Sequence, residues 1–229
     1  METLFINKQK KVEFSTIEAF NTLRTNIHLC GADIKVIGIT SCIPGEGKSS
    51  VSMHLVESLA EEGKKVIFID ADLRKSVIVG RYRIKQKVIG MTLYLSGINS
   101  SKDIIYNTNV DNLDIIVAGP VPPNPSELLA SDKFKELIEQ LKVSYDYIII
   151  DTPPLGSVID SAVIAPLCDG MVLVLQANTI SYKLAQRVKQ QIDRTNCKLL
   201  GAVLNKVNVK GNNYYGKYYG KYYGKYYGK

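Results

Sequence analysis

The chain has 229 residues, of which 45% are hydrophobic and 22% charged, and this composition fits one α/β domain with a substantial core. Its N-terminus lacks the uninterrupted apolar segment of a signal peptide, and no run approaches the roughly 20 apolar residues that span a bilayer. The four cysteines are isolated in the sequence, so we expect free thiols in a reducing, cytoplasmic compartment rather than a zinc site or disulfides.

The net charge of +7 is concentrated at the C-terminal end of the chain. Residues 1–194 hold 22 Lys and Arg and 22 Asp and Glu, whereas residues 195–229 hold seven Lys and no acidic residue. A neutral body argues against a broad basic groove for DNA. We therefore expect no specific nucleic-acid partner.

Residues 1–14 show little hydrophobic periodicity and are predicted to form an N-terminal arm ahead of a single domain over 15–210. A helix is predicted over 16–29, because apolar residues recur there at helical spacing, with Ser15 and Glu18 placed as a capping box. The apolar face of this helix packs either on its own domain or against a neighbouring subunit.

A glycine-rich loop lies between a short apolar strand over 35–39 and a helix over 51–60. It fits the second half of a phosphate loop, in which backbone N–H groups surround phosphates, the lysine reaches the β and γ oxygens, and the serine hydroxyl binds Mg²⁺. Cys42 stands where the plain motif has its first glycine. The loop predicts ATP and Mg²⁺ as cofactors, with these nucleotide-binding residues: Pro44, Gly45, Glu46, Gly47, Lys48, Ser49 and Ser50.

Two further apolar strands end in aspartates. The strand over 65–70 ends in Asp70-Ala71-Asp72, and the strand over 147–151 ends in Asp151. Because parallel strands present their carboxyl ends to the ligand, these carboxylates should face the same crevice as the phosphate loop. We predict Ser49, Asp72 and Asp151 as ligands of Mg²⁺, and Asp70 as a base.

The patterns over 75–112 are weaker. Short helices are predicted over 90–97 and 101–107. Four basic residues form either a solvated face or a docking surface: Arg81, Arg83, Lys85 and Lys87. A strand over 113–117 is followed by a proline-rich connection that excludes helix and central strand.

The second half of the chain alternates strongly between helix and strand patterns. Helices are predicted over 126–129, 132–141, 160–168 and 183–194, and strands over 170–175 and 199–205. Asn205, at the end of the last strand, is predicted to offer its amide to the nucleotide base. This alternation predicts a mostly parallel sheet covered by helices on both faces.

Residues 211–229 are predicted to form a flexible tail. From Tyr214 the sequence repeats Tyr-Tyr-Gly-Lys four times and holds eight of the fourteen tyrosines of the chain. Glycine at every fourth position opposes a stable helix, and the repeat has no core-forming pattern. The eight tyrosines are Tyr214, Tyr215, Tyr218, Tyr219, Tyr222, Tyr223, Tyr226 and Tyr227.

Together these motifs resemble the bacterial tyrosine kinases (BY-kinases) of capsule and exopolysaccharide operons, in the Gram-positive type with a separate adaptor chain. The resemblance rests on the phosphate loop, on the family's second motif over 66–74, on the strand ending at Asp151 and on the tyrosine cluster. It implies a fold similar to the ParA/MinD ATPases and autophosphorylation of the eight tail tyrosines with Mg-ATP. Lys48, Asp70 and Asp72 are then the catalytic residues. Asp70 would accept the proton of the tyrosine hydroxyl or orient that hydroxyl.

The resemblance also implies partners. These are a transmembrane adaptor that activates the kinase and holds it at the inner face of the plasma membrane, an opposing tyrosine phosphatase, and further copies of the chain. Ring-forming members carry a Glu-x-x-Arg-x-x-Arg motif, which this chain retains at Glu18 and Arg24 but interrupts with Asn21. A closed ring is therefore less securely expected than a homo-oligomer.

Two other functions stay open on the sequence. The first is a ParA/MinD-like ATPase switch without tyrosine transfer, against which Ile43 counts, because that class has a signature lysine at this position. The second is a non-enzymatic protein whose Tyr/Lys tail binds nucleic acid or polysaccharide by stacking and charge.

Overall fold

The computed structural model describes residues 3–7 and 13–208. The eight tail tyrosines, Tyr214 to Tyr227, lie outside this part of the chain, and the boundaries drawn for the arm, the domain and the tail stay predictions. The strands are β1 (Thr3–Leu4), β2 (Val36–Ser41), β3 (Val66–Asp70), β4 (Tyr106–Thr108), β5 (Leu113–Ile116), β6 (Tyr147–Asp151), β7 (Gly170–Gln176) and β8 (Leu199–Asn205). The helices are α1 (Phe14–Leu29), α2 (Lys48–Glu61), α3 (Ile78–Arg81), α4 (Met91–Leu95), α5 (Ser101–Ile104), α6 (Pro125–Leu129), α7 (Asp132–Ser144), α8 (Asp160–Ile164) and α9 (Tyr182–Asp193).

The strands form one sheet in the order β1-β4-β5-β3-β6-β2-β7-β8. Every pairing in this order is parallel except that of β4 with β5. Strands β2, β3 and β5 are buried along their whole length, which explains why their sequences are mostly apolar rather than strictly alternating between apolar and polar residues. The prediction of a mostly parallel sheet is confirmed.

Helices cover both faces of the sheet, as predicted. Phe68 of β3 belongs to the core on the face of α2, together with Leu55. Its neighbour Ile69 belongs to the core on the opposite face, together with Phe134 of α7. Successive β3 residues thus enter different cores, as the two-residue period of a strand requires.

Four local predictions are wrong or incomplete. The first is the capping box at the start of α1, because the helix already begins at Phe14, and its preceding residue Glu13 makes no side-chain capping bond. Ser15 is therefore inside the helix, and the Glu18 carboxylate accepts a hydrogen bond from Asn21 Nδ2 at 3.0 Å.

The second concerns the N-terminal arm, in which no strand was predicted. Thr3 and Leu4 pair with β4 in parallel register at the edge of the sheet, and Leu4 and Ile6 are fully buried. The third concerns the helix expected over 101–107. It ends at Ile104, and Tyr106 begins β4, which pairs antiparallel with β5.

The fourth concerns the helix expected over 160–168. Its α-helical part ends at Ile164, and residues Ala165–Leu167 form a 3₁₀ turn. Pro166 lies in that turn, and a proline has no N–H with which to continue the α-helical ladder.

The predicted basic patch is divided in the structure. Arg81 turns toward the phosphate loop, where its Nη1 donates to Ser50 Oγ. Arg83, Lys85 and Lys87 are exposed, and they alternate with the buried residues Tyr82 and Ile84.

Candidate active site

The site is built where three central strands end. β3, β6 and β2 are neighbours in the sheet, and Asp70 and Asp151 lie opposite each other in the register of β3 with β6. Ile39 of β2 pairs with Asp151 in the same way, two residues before β2 ends and the phosphate loop begins. The topology therefore brings the two strand-end aspartates and the loop to one edge of the sheet.

The phosphate loop has the backbone that its glycines allow. Gly45 and Gly47 have φ angles of 87° and 93°, in the left-handed region that favours glycine, and Gly47 is the N-cap of α2. A Cβ atom on Gly47 would lie 2.2 Å from Asn205 Nδ2. The loop therefore leaves the N–H groups at the start of a 14-residue helix as an anion-binding end.

Glu46 holds the loop from inside. Its side chain is buried and accepts from the backbone N–H groups of Cys42 at 2.6 Å and Ile43 at 2.8 Å through Oε2, and from that of Gln176 at 2.9 Å through Oε1. Glu46 was predicted as a nucleotide-binding residue. The structure directs its carboxylate to backbone amides of its own loop and of β7, so any contact with phosphate would come from its main chain.

The Lys48 ammonium lies among the predicted carboxylates. Its Nζ is 3.2 Å from Asp72 Oδ2, 3.5 Å from both carboxylate oxygens of Asp151, and 3.4 Å from Ser49 Oγ. Burial works to lower the pKa of Lys48, but the negative charges of Asp151, Asp72 and Asp70 outweigh it and raise the pKa above its ordinary value. Lys48 is therefore charged at neutral pH.

Asp70 and Asp151 are both almost fully buried, at 1% exposure each. Burial, together with the charge of Asp151, raises the pKa of Asp70 to about 7, against hydrogen bonding from Ser76 and the charge of Lys48. Burial also raises the pKa of Asp151, although Lys48 and Ser49 oppose the shift. The carboxylates of the site thus surround a buried ammonium, that of Lys48.

The donor set fits a magnesium ion bound together with phosphates. No group of three or more His, Cys, Asp or Glu residues that could hold a metal by itself exists within 3–7 and 13–208. Mg²⁺ usually takes one or two carboxylates and fills its remaining positions with phosphate oxygens and water. The Ser49 hydroxyl, Asp72 and Asp151, all within 3.5 Å of Lys48 Nζ, supply such a partial set.

The end of β8 contacts the phosphate loop rather than standing apart from it. Asn205 Nδ2 donates to Glu46 O at 2.8 Å, and Lys206 Nζ donates to Gly45 O at 2.6 Å and to Gln176 Oε1 at 2.9 Å. Asn205 therefore lies beside the phosphate loop, with its amide bonded to the loop backbone. A contact between this amide and the base stays a prediction.

Sequence reasoning assigned no role to several residues that shape the site. Arg74 donates to both oxygens of the buried Asp160 carboxylate, and Ser126 donates to the same carboxylate. Arg74 belongs to the second motif, which could have drawn attention to it. Asp160 and Ser126 come from distant parts of the sequence, and no local pattern pairs them with Arg74.

Comparison with known proteins agrees with this geometry. A family model described as an AAA domain matches residues 34–201. The tyrosine-protein kinase CpsD of Streptococcus agalactiae is 46% identical over 217 residues, which are 93% of each chain. The tyrosine-protein kinase YwqD of Bacillus subtilis is 38% identical and aligns with 87% of this chain and 84% of its own.

The chain belongs to the bacterial tyrosine kinases. As in those relatives, its activity is protein-tyrosine phosphorylation, and its capsule-operon relatives place it in capsule or exopolysaccharide production. The kinase domain of Escherichia coli tyrosine kinase ETK matches its fold with a TM-score of 0.83 at 31% identity, over 91% of this chain and 86% of that one. The chimerical protein CapA2B2 matches with a TM-score of 0.80 at 31% identity, over 90% and 94% of the two chains.

The kinase also shares the nucleotide-binding fold of the MinD ATPases. MinD of Pyrococcus horikoshii, solved with Mg-ADP, has a TM-score of 0.67 at 26% identity, over 78% of this chain and 72% of its own. The predicted ParA/MinD-like fold is confirmed, and the chain binds a nucleotide. Among its described helices, none combines the length and apolar character needed to cross a lipid bilayer.

Proposed function

We propose that this kinase transfers the γ-phosphoryl group of Mg-ATP to the eight tyrosines of its own C-terminal tail. The observation that carries the proposal is the convergence of Lys48, Asp72 and Asp151 beside the phosphate loop, with Asp70 buried next to them, in a chain that ends in a tyrosine repeat. Phosphoryl transfer requires mainly positioning and neutralisation of charge, and this arrangement supplies both.

The loop and Lys48 bind the phosphates. The backbone N–H groups from Gly45 to Ser50 would surround the phosphates at the start of α2, and Lys48 would exchange its carboxylate partners for β and γ oxygens. Ser49 and Asp151 would hold Mg²⁺, with Asp72 contributing directly or through water, and the bound ion would supply neutralisation of charge on the phosphates.

Asp70 is assigned to the acceptor, the tyrosine hydroxyl that receives the phosphoryl group. Its carboxylate lies at the end of β3, opposite Asp151, and receives hydrogen bonds from Ser76 and from the backbone of Asp72. We assign it the role of accepting the proton of the tyrosine hydroxyl or of orienting that hydroxyl. Asp72, in contrast, has its Oδ2 in contact with Lys48, so we assign it to the phosphates and their metal rather than to the acceptor.

The predicted tail over 211–229 is long enough to reach another copy of the chain. A segment of about 18 residues that is flexible, as the sequence predicts for this tail, has an end-to-end distance of about 21–25 Å and stretches to about 60 Å. We therefore infer that transfer occurs between subunits of a homo-oligomer. Eight phosphotyrosines add roughly −12 to −16 charges, against the +7 of residues 195–229. This reversal of sign favours disassembly of the oligomer after phosphorylation.

The remaining partners follow from the family. A transmembrane adaptor would activate the kinase and hold it at the inner face of the plasma membrane, and a tyrosine phosphatase would reverse the modification. The match to CapA2B2, a chimerical protein by its title, supports an adaptor that contacts the kinase domain. Mixing the chain with the cytoplasmic end of its adaptor and mapping the phosphorylated tyrosines would test this assignment.

The central experiment incubates the purified chain with labelled ATP and Mg²⁺, with and without residues 214–229. Label that disappears on truncation identifies the tail as acceptor. Phosphate release without label would instead identify an ATPase switch, and neither signal would identify a binding protein. Lys48→Met should abolish labelling, whereas Lys189→Met, on the exposed side of α9, should not.

A mixing experiment tests transfer between subunits. The Lys48→Met chain with an intact tail is combined with an active chain that lacks residues 214–229. Label on the Lys48→Met chain is the expected result, because only the partner can have supplied the phosphoryl group. An unlabelled tail in this mixture, with a labelled tail in the unaltered chain, would show transfer within one chain.

A further inference from the structure

A buried carboxylate outside the predicted site binds an arginine of the turn that follows β3. Asp160, the first residue of α8, has a fully buried side chain. Its Oδ2 accepts from Arg74 Nε at 2.7 Å, and its Oδ1 accepts from Arg74 Nη2 at 3.0 Å. This two-bond geometry fixes the orientation of a guanidinium as well as its distance.

A third segment joins the same carboxylate. Ser126 of α6 donates to Asp160 Oδ1 at 2.6 Å and accepts from Arg74 Nη2 at 3.0 Å. Burial alone would raise the pKa of Asp160, but the hydrogen bonds from Arg74 and Ser126 outweigh it and hold that pKa below its ordinary value. The carboxylate is thus ionised at neutral pH and ties together the segments that follow β3, β5 and β6.

The turn held by Arg74 carries Asp70 and Asp72, the two acids of the second motif to which the proposed function assigns roles in the transfer. Asp70 Oδ1 accepts from the N–H of Asp72 at 3.3 Å, and its Oδ2 accepts from Ser76 Oγ. Asp72 Oδ1 accepts from the N–H of Lys75 at 3.0 Å. The two carboxylates are therefore bonded to the turn that carries them, and a displacement of the turn displaces both.

We propose that Asp160 is a positioning residue for phosphoryl transfer, which acts through Arg74 to fix the turn from Asp70 to Ser76. The inference rests on the proposed function, because it assigns Asp70 and Asp72 to that reaction. Asp160 touches neither Lys48 nor the loop in its hydrogen bonds. Its loss should therefore impair transfer without impairing nucleotide binding.

The test compares Asp160→Asn with the unaltered full-length kinase. Asparagine preserves the shape of the side chain but removes the charge and one acceptor oxygen. We expect kcat for tail phosphorylation to fall about 10- to 100-fold, because small misplacements of catalytic groups cost this much, while KM for ATP and the Kd of a fluorescent ATP analogue stay within about threefold. Asp193→Asn is the matched control, since it breaks the exposed ion pair with Lys189 on α9.

A second readout needs no activity. Hydrogen exchange should become faster at the amides of Asp72 and Lys75, which the turn protects, and stay unchanged over residues 44–50. The double variant Asp160→Asn, Arg74→Gln should lose little more activity than either single variant, because the two residues act as one unit. If Asp160→Asn does not fold, Arg74→Gln serves in its place, since the Arg74 side chain is 40% exposed.

Three results would overturn the proposal. These are an unchanged kcat, a loss explained fully by weaker nucleotide binding, and exchange that accelerates throughout the domain rather than in the turn. The hydrogen-exchange comparison tests the positioning role of Asp160 separately from the proposed transfer to the tail. If the unaltered kinase failed to label its tail, the proposed function would fall, yet exchange would still show whether Asp160 holds the turn.

Discussion

Asp70 is enclosed in a way that suits a residue acting on the acceptor. It is 1% exposed, and it makes its hydrogen bonds with Ser76 and Asp72, whereas the hydrogen bonds of Lys48 go to Asp72, Asp151 and Ser49. Its neighbour Asp72 contacts the buried lysine directly. The two acids of one motif therefore have different surroundings, which favours different roles.

Replacing Asp70 by asparagine should abolish tail phosphorylation while nucleotide binding persists. We expect a loss of at least about 100-fold, the usual contribution of a general base. Rates of tail labelling and the Kd of a fluorescent ATP analogue measure the two effects. Asp111→Asn, at an exposed loop position, is the control. An Asp70→Asn chain that labels its tail at the native rate would remove Asp70 from the mechanism.

Gly47→Ala should weaken nucleotide binding. The φ angle of 93° strains any residue with a Cβ, and that Cβ would lie 2.2 Å from Asn205 Nδ2. We expect affinity for a fluorescent ATP analogue to fall at least about tenfold, since left-handed strain alone costs roughly 1–3 kcal/mol. Gly80→Ala is the matched control, because nothing lies within 4 Å of its added Cβ. Equal affinities in the two variants would contradict the loop geometry.

At the scale of elements, the central strands and the phosphate loop could be predicted because their signals are local. Continuous apolar runs identify β2, β3 and β6, and the strand-end rule places Asp70 and Asp151 together. β4 could not be predicted, since its three residues show no period and gain their conformation from pairing with β5. β1 is shorter still and depends on β4.

The hydrogen bonds that join Arg74, Ser126 and Asp160 could not be predicted from the sequence, for a similar reason. Arg74 and Asp160 are separated by 86 positions, and Ser126 and Asp160 by 34. Only the folded sheet brings the segments after β3, β5 and β6 to one edge. The catalytic motifs were thus readable as patterns, whereas the residues that hold them required the three-dimensional structure.

Tyr145, directly after α7, anchors that helix to β5. Its hydroxyl donates to Asp114 Oδ2 at 2.7 Å, and Asp114 also accepts from Asn107 of β4. Tyr145→Phe should lower the free energy of unfolding at pH 8 by about 1–2 kcal/mol, because a hydrogen bond to a buried carboxylate is lost. Urea unfolding measures this difference, and Tyr182→Phe, at a largely exposed position, should leave it unchanged.

The same bond predicts a dependence on pH. Burial, reinforced by Asp114, raises the pKa of Tyr145 above its ordinary value of 10.0. The folded protein therefore keeps this proton where the unfolded chain loses it, so the contribution is complete below pH 10 and declines as pH rises toward the folded pKa. The difference between the native kinase and Tyr145→Phe should narrow above pH 10. A stability difference that widens above pH 10 would mean that folding lowers the pKa of Tyr145 instead of raising it.

At the scale of the whole molecule, α1 presents the incomplete ring motif. Arg24 Nη1 donates to Ser58 O at 2.8 Å within the same chain, and Asn21 donates to Glu18. Where ring-forming relatives have an arginine, this chain thus has a short amide that is bonded to its own helix. The proposed homo-oligomer should accordingly be weaker than one with arginine at position 21.

Asn21→Arg should strengthen self-association. A guanidinium at this position reaches farther than an amide and pairs with carboxylates through two bonds. Sedimentation velocity over a concentration series should show larger species for Asn21→Arg than for the native chain. Asn26→Arg adds the same charge at an exposed position of α1 and is the control. Identical sedimentation of the two variants would contradict a specific role of position 21. Larger species in both would show an effect of charge alone, and unchanged species in both would show that neither residue governs assembly.

The bond between Lys206 and Gly45 has a consequence for the choice of acceptor. Tyr214 follows Lys206 by only eight positions, and eight residues reach at most about 29 Å. Each nucleotide loop is thereby tethered to a phosphate acceptor of its own, at an effective concentration near the millimolar range. If the kinase phosphorylates only the tyrosines of other copies, the orientation of its own tyrosines must prevent their phosphorylation. Dilution cannot do so, because it does not lower the effective concentration of tyrosines in the same chain.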